Sequence, residues 1–297
     1  MNSLELKLAL GTVQLGMPYG IANITGQPDI ATAQDIVAES YRAGVRYFDT
    51  AQAYGISEQI LGRCFHDLHI TNDVRVISKV AAKLQADDIE QAVARSLNAL
   101  GVSRLWALLL HTEAMLDEWQ TALGQALRRT KQCGLTEWLG VSIYSPEYAR
   151  QALELEDVDA IQVPANIFDR RLKHADFFRQ AADRGKTIFI RSVYLQGVAL
   201  MDELKAPSFA RAAVAAYRQF CQQHSLNAAE FAIAYIRQMA PEAILVIGAE
   251  RPEQAANNCR LLQSSPATDE LCAAWDRLWS DDDATLINPT FWSRAQS

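Results

Sequence analysis

The chain is expected to fold as α/β, a single parallel (β/α)8 barrel domain over residues 1–297, with its active site at the C-terminal ends of the strands. Three observations predict it. Eight short apolar runs read as strands, and most are followed by a segment of helical periodicity. Most repeats are about thirty residues, the size of one strand–helix unit in an eight-unit barrel. Runs such as Leu105–Leu110 are continuously apolar rather than alternating, the pattern of a strand buried on both faces. The competing architecture is an open doubly wound sheet. It would carry a G-x-G-x-x-G turn after its first strand, and none is present.

Taken in order, residues 8–11 are an apolar run opening into a loop that holds Gly16, Gly20, Gly26 and Pro28. That loop is too long for a minimal strand–helix turn, and long loops at such places often carry function. A helix is expected from Thr32, with Asp35 three residues on, to a stop at Gly44. Residues 45–48 are the second strand, and 57–65 a short helix. The β-branched run 74–78 is the third strand. Residues 87–100 are the clearest helix: Asp87 and Glu90 form a capping-box-like start, Ile89, Val93, Leu97 and Leu100 share a face, and Gly101 follows the end. Leu105–Leu110 is the fourth strand, and 113–132 reads as a helix stopped by Gly134. The second half repeats the pattern, with strands at 138–141, 160–163, 187–190 and 244–247. Helices are expected from Pro146, which suits a first turn, over 172–184, 209–223 and 228–239, from Pro252, and over 268–280. The run Asp281-Asp282-Asp283 is expected to be a solvated turn rather than a metal site.

With 297 residues, 49% of them hydrophobic, the chain can bury a large core. A net charge of -7 without a long basic run argues against a broad nucleic-acid surface. No apolar run reaches about 18 residues, so no membrane span is expected. The N-terminal MNSLELKLALG lacks a charged lead and a long apolar stretch, so no secretory leader is expected. Cys64, Cys133, Cys221, Cys259 and Cys272 are scattered without a C-x-x-C pair, which fits reduced thiols in a cytoplasmic protein. The oligomeric state is left open.

The chemistry is organised around residues 41–62, YRAGVRYFDTAQAYGISEQILG. An apolar run stops at Asp49, Tyr54 follows in a Gly-containing turn, and a helix starts at Ser57. Lys79 and His111 close the third and fourth apolar runs. In a barrel these four residues would converge at the C-terminal mouth. A phenol with an ordinary pKa of about 10 is a poor acid at neutral pH. The Lys79 ammonium would lower that value, Asp49 would hold the ammonium, and His111 would orient or polarise a substrate oxygen. The set lacks a nucleophile with its own base. It suits protonation of a carbonyl oxygen while another agent delivers hydride to carbon, and no side chain can deliver hydride; a nicotinamide cofactor is implied. Singly, each residue has a commoner role: Asp49 a cap, Tyr54 a packing residue, Lys79 a solvated charge, His111 a satisfied core histidine. Their succession at strand ends is what points to catalysis.

The stretches that carry these residues resemble the aldo-keto reductase superfamily: LALGTVQLG at 8–16, FDTAQAYGISEQILG at 48–62, SK at 78–79 and LLLH at 108–111. GVS at 140–142, IQVPAN at 161–166, RSVYLQG at 191–197 and VIGAERPEQAANN at 246–258 continue the match over nearly the whole chain. The resemblance implies the barrel and NAD(P)H-dependent reduction of an aldehyde, ketone or sugar carbonyl. It implies a catalytic tetrad of Asp49, Tyr54, Lys79 and His111, with Tyr54 as general acid. It further implies a cofactor bed. Gly11 and Thr12 would lie near the nicotinamide ribose beside Asp49, and Ser142 and Gln162 on the carboxamide. Arg191 would stand where many members stack a Tyr on the nicotinamide, and Ile143 where many have an Asn. Ser192, Leu195 and Gly197 would cover the pyrophosphate. Gly248, Ala249, Glu250 and Gln254 would surround the adenosine ribose, with Asn257 and Asn258 at the adenine.

Family habit implies NADP(H). Glu250, with Arg251 the only cation in its loop, makes NAD(H) or dual use nearly as strong an expectation, the family habit still tipping it to NADP(H), and the helix start at Pro252 offers backbone donors to an anion. Tyr19, Tyr144 and Trp292 are candidates for the substrate pocket. Two other readings stay open. One is a cofactor-binding regulatory protein resembling the β subunits of potassium channels. The other is an aldolase or isomerase barrel with Lys79 as a Schiff base.

Overall fold

The computed structural model describes residues 6–279 and 283–292, so Asp281, Asp282 and the start of the N-terminal stretch lie outside them. Eight parallel strands close into a barrel in chain order. They are β1 Leu8–Gly11, β2 Tyr47–Asp49, β3 Arg75–Val80, β4 Leu105–Leu110, β5 Thr136–Ser142, β6 Ala160–Pro164, β7 Thr187–Arg191 and β8 Ile244–Gly248. Gly11 pairs with Asp49 on one side and with Gly248 on the other, which closes the ring. The helices are α1 Val13–Gly16, α2 Ile30–Arg42, α3 Ser57–Asp67, α4 Ile89–Leu100, α5 Ala122–Gln132, α6 Pro146–Glu154, α7 Arg171–His174, α8 Phe177–Asp183, α9 Arg211–Gln223, α10 Ala228–Met239, α11 Pro252–Gln263, α12 Asp269–Leu278 and α13 Ala284–Ile287. Among the described residues no helix is long and apolar enough to cross a membrane.

Strand side chains alternate between two cores, as a period of two requires. Ala9, Tyr47, Ile77, Ala107, Leu109, Ala160, Phe189 and Val246 pack together inside the barrel. Leu8, Leu10, Phe48, Val76, Leu108, Val141, Ile161, Ile190 and Leu245 pack outward in the larger core with the helices. Trp106 and Trp138, their ring centroids 4.2 Å apart and their planes tilted, pack against the inner cluster near the strand starts. Two residues beyond an inner position, seven of the strands still face inward at or just past their C-terminal ends. Gly11, Asp49, Lys79, His111, Gln162, Arg191 and Gly248 occupy that layer.

Several helices depart from the expected bounds. α2 starts before Thr32 because Asp29 is its cap, accepting from Thr32 N at 2.8 Å. Ala86–Asp88 is a 3-10 turn and α4 begins at Ile89, so the expected box at Asp87 does not form. The 113–132 segment breaks into a 3-10 turn, Glu113–Glu118, and α5, restarted by the Thr121 cap. Glu113 turns away and accepts from Tyr144 N and Ser145 N at 2.6 and 2.8 Å. The 172–184 segment splits at Asp176, whose φ of 54° ends one helix and opens the next. Asp283, the described member of the acidic run, caps α13.

Candidate active site

The site is built on a close approach of two loops. A Cβ on Gly16 would stand 1.9 Å from the Tyr54 carbonyl, and Gly55, at φ 56°, meets Gly16 O in the same way. Only glycines let the loop after β1 and the loop after β2 touch. Beneath them lies a buried hydroxyl network. Thr12 Oγ1 donates to Asp49 O at 2.9 Å, Ser57 Oγ to Thr12 O at 2.9 Å, and Thr50 Oγ1 to Ser57 Oγ at 3.0 Å. Glu58, buried at the start of α3, accepts from Ser78 Oγ at 2.6 Å. These bonds fix where β2 ends and where the Tyr54 turn begins.

The four residues expected to meet do meet. Lys79 Nζ donates to Asp49 Oδ1 and Oδ2, both at 2.8 Å, and to Thr50 O at 2.9 Å. It lies 3.5 Å from the Tyr54 hydroxyl. The side chains of Lys79 and Asp49 are only 1% and 5% exposed, so this is a desolvated pair. The His111 ring stands edge-on to Tyr54, 5.5 Å between centroids.

The electrostatics differ from the sequence expectation in one respect. The ammonium was expected to lower the phenol's pKa; in the folded protein the Tyr54 pKa is raised instead, because burial and then the Asp49 charge outweigh the Arg191 cation. Burial also lowers the Lys79 pKa, against the opposing pull of Asp49. Burial, with Lys79 and Arg191 nearby, pushes His111 down to about 4, so its imidazole is neutral near pH 7. The arrangement is a protonated phenol and a neutral imidazole facing one space. A cation stands behind the phenol, able to receive the negative charge left when its proton departs.

That space is a cavity of about 540 Å3, a usual size for a small-molecule site. Asp49, Tyr54 and His111 line it, as do Gly11, Thr12 and Ser142. Arg191, Ser192 and Gly197 line the β7 side; Gly248, Ala249, Glu250, Gln254, Asn257 and Asn258 line the β8 side. Three expected site residues do not line it. Lys79 is behind the wall at 0% exposure. Gln162 is turned inward, donating Nε2 to Asp49 Oδ1 at 2.7 Å and accepting from Ser142 Oγ at 3.3 Å. Leu195 is buried in the core, and its neighbours Tyr194 and Gln196 face the cavity instead. In the 192–197 loop Ser192, Leu195 and Gln196 all have positive φ, at 62°, 50° and 53°, and this reverses which side chains point out.

Tyr19 and Tyr144 line the cavity as expected, whereas Trp292 packs against Phe209 and does not. Gln14 was not foreseen. Its amide lies where a Cβ on Gly248 would need to be, and its Oε1 is buried without a hydrogen-bond partner. Tyr194, which donates to Asn258 Oδ1 at 3.3 Å, was also missed; an aromatic within RSVYLQG was the one available signal. At α11, Gln254 Oε1 accepts from the amides of Glu250 and Arg251 at 2.7 and 3.2 Å. The helix start therefore offers fewer free donors to an anion than the sequence suggested. Arg251 is exposed and is not among the residues that line the cavity. Burial raises the Glu250 carboxyl, and Arg251 and a Thr25 hydrogen bond pull it back.

The sequence model of the Aldo/keto reductase family matches residues 7–280. The NADH-specific methylglyoxal reductase of Escherichia coli is 22% identical, over 95% of this chain and 93% of that protein. Among solved structures, the holo form of aldo-keto reductase AKR11C1 from Bacillus halodurans superposes with a TM-score of 0.76 at 21% identity, over 92% of each chain. Glycerol dehydrogenase AKR11B4 from Gluconobacter oxydans gives 0.73 at 23% identity, over 96% of this chain and 94% of the other. At these identities the superpositions establish the fold alone.

Proposed function

Because the chain belongs to the aldo/keto reductase family, a family of oxidoreductases, we propose that it is a single barrel domain that reduces an aldehyde, ketone or sugar carbonyl, using NAD(P)H and with Tyr54 as general acid. One observation carries the reading. The Tyr54 hydroxyl stands in the cavity wall 3.5 Å from an ammonium that Asp49 holds at 2.8 Å. An alkoxide is a stronger base than a phenolate, so a phenol kept protonated by burial is still able to give it a proton. The Lys79 ammonium then meets the phenolate, and His111 offers a neutral ring to position the substrate oxygen.

The cavity fits an elongated cofactor. Tyr144, Tyr194 and Arg191 offer flat faces in its wall. Ser142 and Ser192 would hold its polar parts, and Asn257 and Asn258 its far end. When bound, a reduced nicotinamide supplies the hydride. Between the two cofactors, Glu250 in the wall, with Arg251 not part of the lining, favours a free ribose hydroxyl, hence NADH. The Schiff-base reading loses support because Lys79 Nζ is held by three acceptor oxygens behind the wall.

The test is absorbance of the reduced nicotinamide over a panel of aldehydes, ketones and sugars, with NADH and NADPH in parallel. Carbonyl-dependent oxidation of either supports the proposal. Tight cofactor binding with no turnover over the panel would favour a regulatory protein.

A further inference from the structure

Tyr19 stands beside the Tyr54 turn although it belongs to a different loop. Ile56 N donates to Gly16 O at 3.4 Å, and a Cβ built on Gly55 would lie 3.6 Å from Met17 Cβ. Tyr19 follows two residues later and lines the same cavity as Tyr54 and His111. Its loop is tied into one shape by a single side chain. Asn23 donates Nδ2 to Tyr19 O at 3.1 Å and to Gly26 O at 3.0 Å. Its Oδ1 accepts from Thr25 N at 2.9 Å, Thr25 Oγ1 at 3.2 Å and Gly26 N at 2.9 Å. Across the cavity, Ala22 N donates to Gln196 O at 3.4 Å, and the Gln196 side chain bonds the Tyr19 hydroxyl. The phenol is thus held at both ends, its backbone by Asn23 and its oxygen by Gln196, before any ligand arrives.

The hydroxyl keeps a proton to give. Burial, then the Tyr144 and Tyr54 phenols, push the Tyr19 pKa up to about 12, so it is protonated near pH 7. The Gln196 bond acts in the opposite direction, the sign of a bond that the phenol oxygen accepts. Its own O–H has no protein acceptor among the described residues. Tyr144 acts on both Tyr19 and Tyr54, so three phenols border one space. Two of them are left over once Tyr54 serves the carbonyl, and Tyr19 is at none of the positions given above to the cofactor. Ring faces edged with hydroxyl donors suit a molecule that carries C–H and O–H groups on neighbouring carbons. A purely aliphatic chain would cover the Tyr19 hydroxyl and leave it unpaired.

We propose that Tyr19 is a specificity residue that donates its hydroxyl proton to a hydroxyl group next to the substrate carbonyl, so that the preferred substrates are 2-hydroxy carbonyl compounds of the sugar class rather than simple aliphatic aldehydes. The neighbouring carbon is singled out because the Tyr19 loop packs directly on the Tyr54 turn. The inference rests on the carbonyl-reductase reading and narrows it. No bond to Tyr19 forms or breaks in the reaction.

The experiment compares lactaldehyde with propanal, which differ by one hydroxyl beside the carbonyl, in the wild type and in Tyr19→Phe. Values of kcat/KM refer to the free aldehyde, since the two hydrate to different extents. The wild type should favour lactaldehyde, and Tyr19→Phe should lower that ratio about threefold to tenfold, the scale of one neutral hydrogen bond. The change should fall mainly on KM for lactaldehyde. Intrinsic reactivity contributes equally to the ratio in both proteins, so the difference between them is the measure. Saturation-transfer NMR with xylitol, an unreactive polyol, should show binding to the wild type and at least threefold weaker binding to Tyr19→Phe. A wild-type preference for propanal, or the same ratio in both proteins, overturns the proposal. If neither aldehyde turns over, xylitol decides: failure to bind the wild type, or equal affinity for both proteins, overturns it. Loss of all carbonyl turnover over the wider panel would instead refute the reductase reading, and xylitol would still report on Tyr19.

Discussion

Replacing Lys79 by Met should destabilise the fold by a calculable amount. The ammonium donates to both Asp49 oxygens at 2.8 Å and to Thr50 O at 2.9 Å, in a pair that is 1% and 5% exposed. Removing one partner of a buried pair costs about 3–5 kcal/mol, because the other charge stays behind uncompensated. Gln162 Nε2 would remain on Asp49 Oδ1 at 2.7 Å, which places the cost near the lower end. At about 2 °C per kcal/mol, the lower edge for chains of this size, a loss of roughly 3 kcal/mol lowers Tm by about 6 °C. Calorimetric melting of cofactor-free protein near pH 7 measures this without a binding contribution. The double variant Asp49→Leu/Lys79→Met removes both charges and should melt above Lys79→Met while staying inactive. The reasoning fails if Lys79→Met melts within a degree of the wild type, or if the two substitutions add their losses.

Three further outcomes follow from the same geometry. Gly16→Ala would force a Cβ to 1.9 Å from Tyr54 O; it should cost about 1–3 kcal/mol by overpacking and reduce kcat about tenfold or more by shifting the phenol, and kcat equal to the wild type would refute it. His111, about 4 when folded against an ordinary 6.5, takes up its proton later than the unfolded chain does. Its contribution to stability is intact above pH 6.5 and is lost as pH falls toward 4, on the order of 3 kcal/mol, so denaturant titrations of His111→Asn should lose that part of the slope. Glu250→Arg should raise the NADPH-to-NADH ratio of kcat/KM by about tenfold or more, since it exchanges repulsion for attraction at the cavity wall; an unmoved ratio would show that Glu250 does not face the ribose.

The strands were legible because a strand buried on both faces leaves a continuous apolar run, as at Leu105–Leu110, and a polar residue ending such a run marks the mouth. Asp49, Lys79 and His111 were found by that signal. What the sequence concealed was orientation inside the turns. Leu195 was expected in the cavity, but positive φ at Ser192, Leu195 and Gln196 exchanges it for Tyr194, and no Gly or Asn among those three announces the change. Gln162 has the polarity of a ligand contact, yet its amide is held by Asp49, a partner 113 residues away that no local pattern could reveal. The break at Asp176 and the restart at Thr121 were hidden by apolar periodicity that runs through both. The raised Tyr54 pKa depends on how deeply the phenol is buried, which spacing does not report.

The central claim is that the Tyr54 hydroxyl delivers the proton. Tyr54→Phe removes that one oxygen and leaves the ring, the Asp49–Lys79 pair and the cavity in place. Single-turnover oxidation of bound reduced cofactor should fall by at least about a hundredfold, while the cofactor dissociation constant and Tm stay near the wild-type values. Turnover by this variant at the wild-type rate would contradict the account.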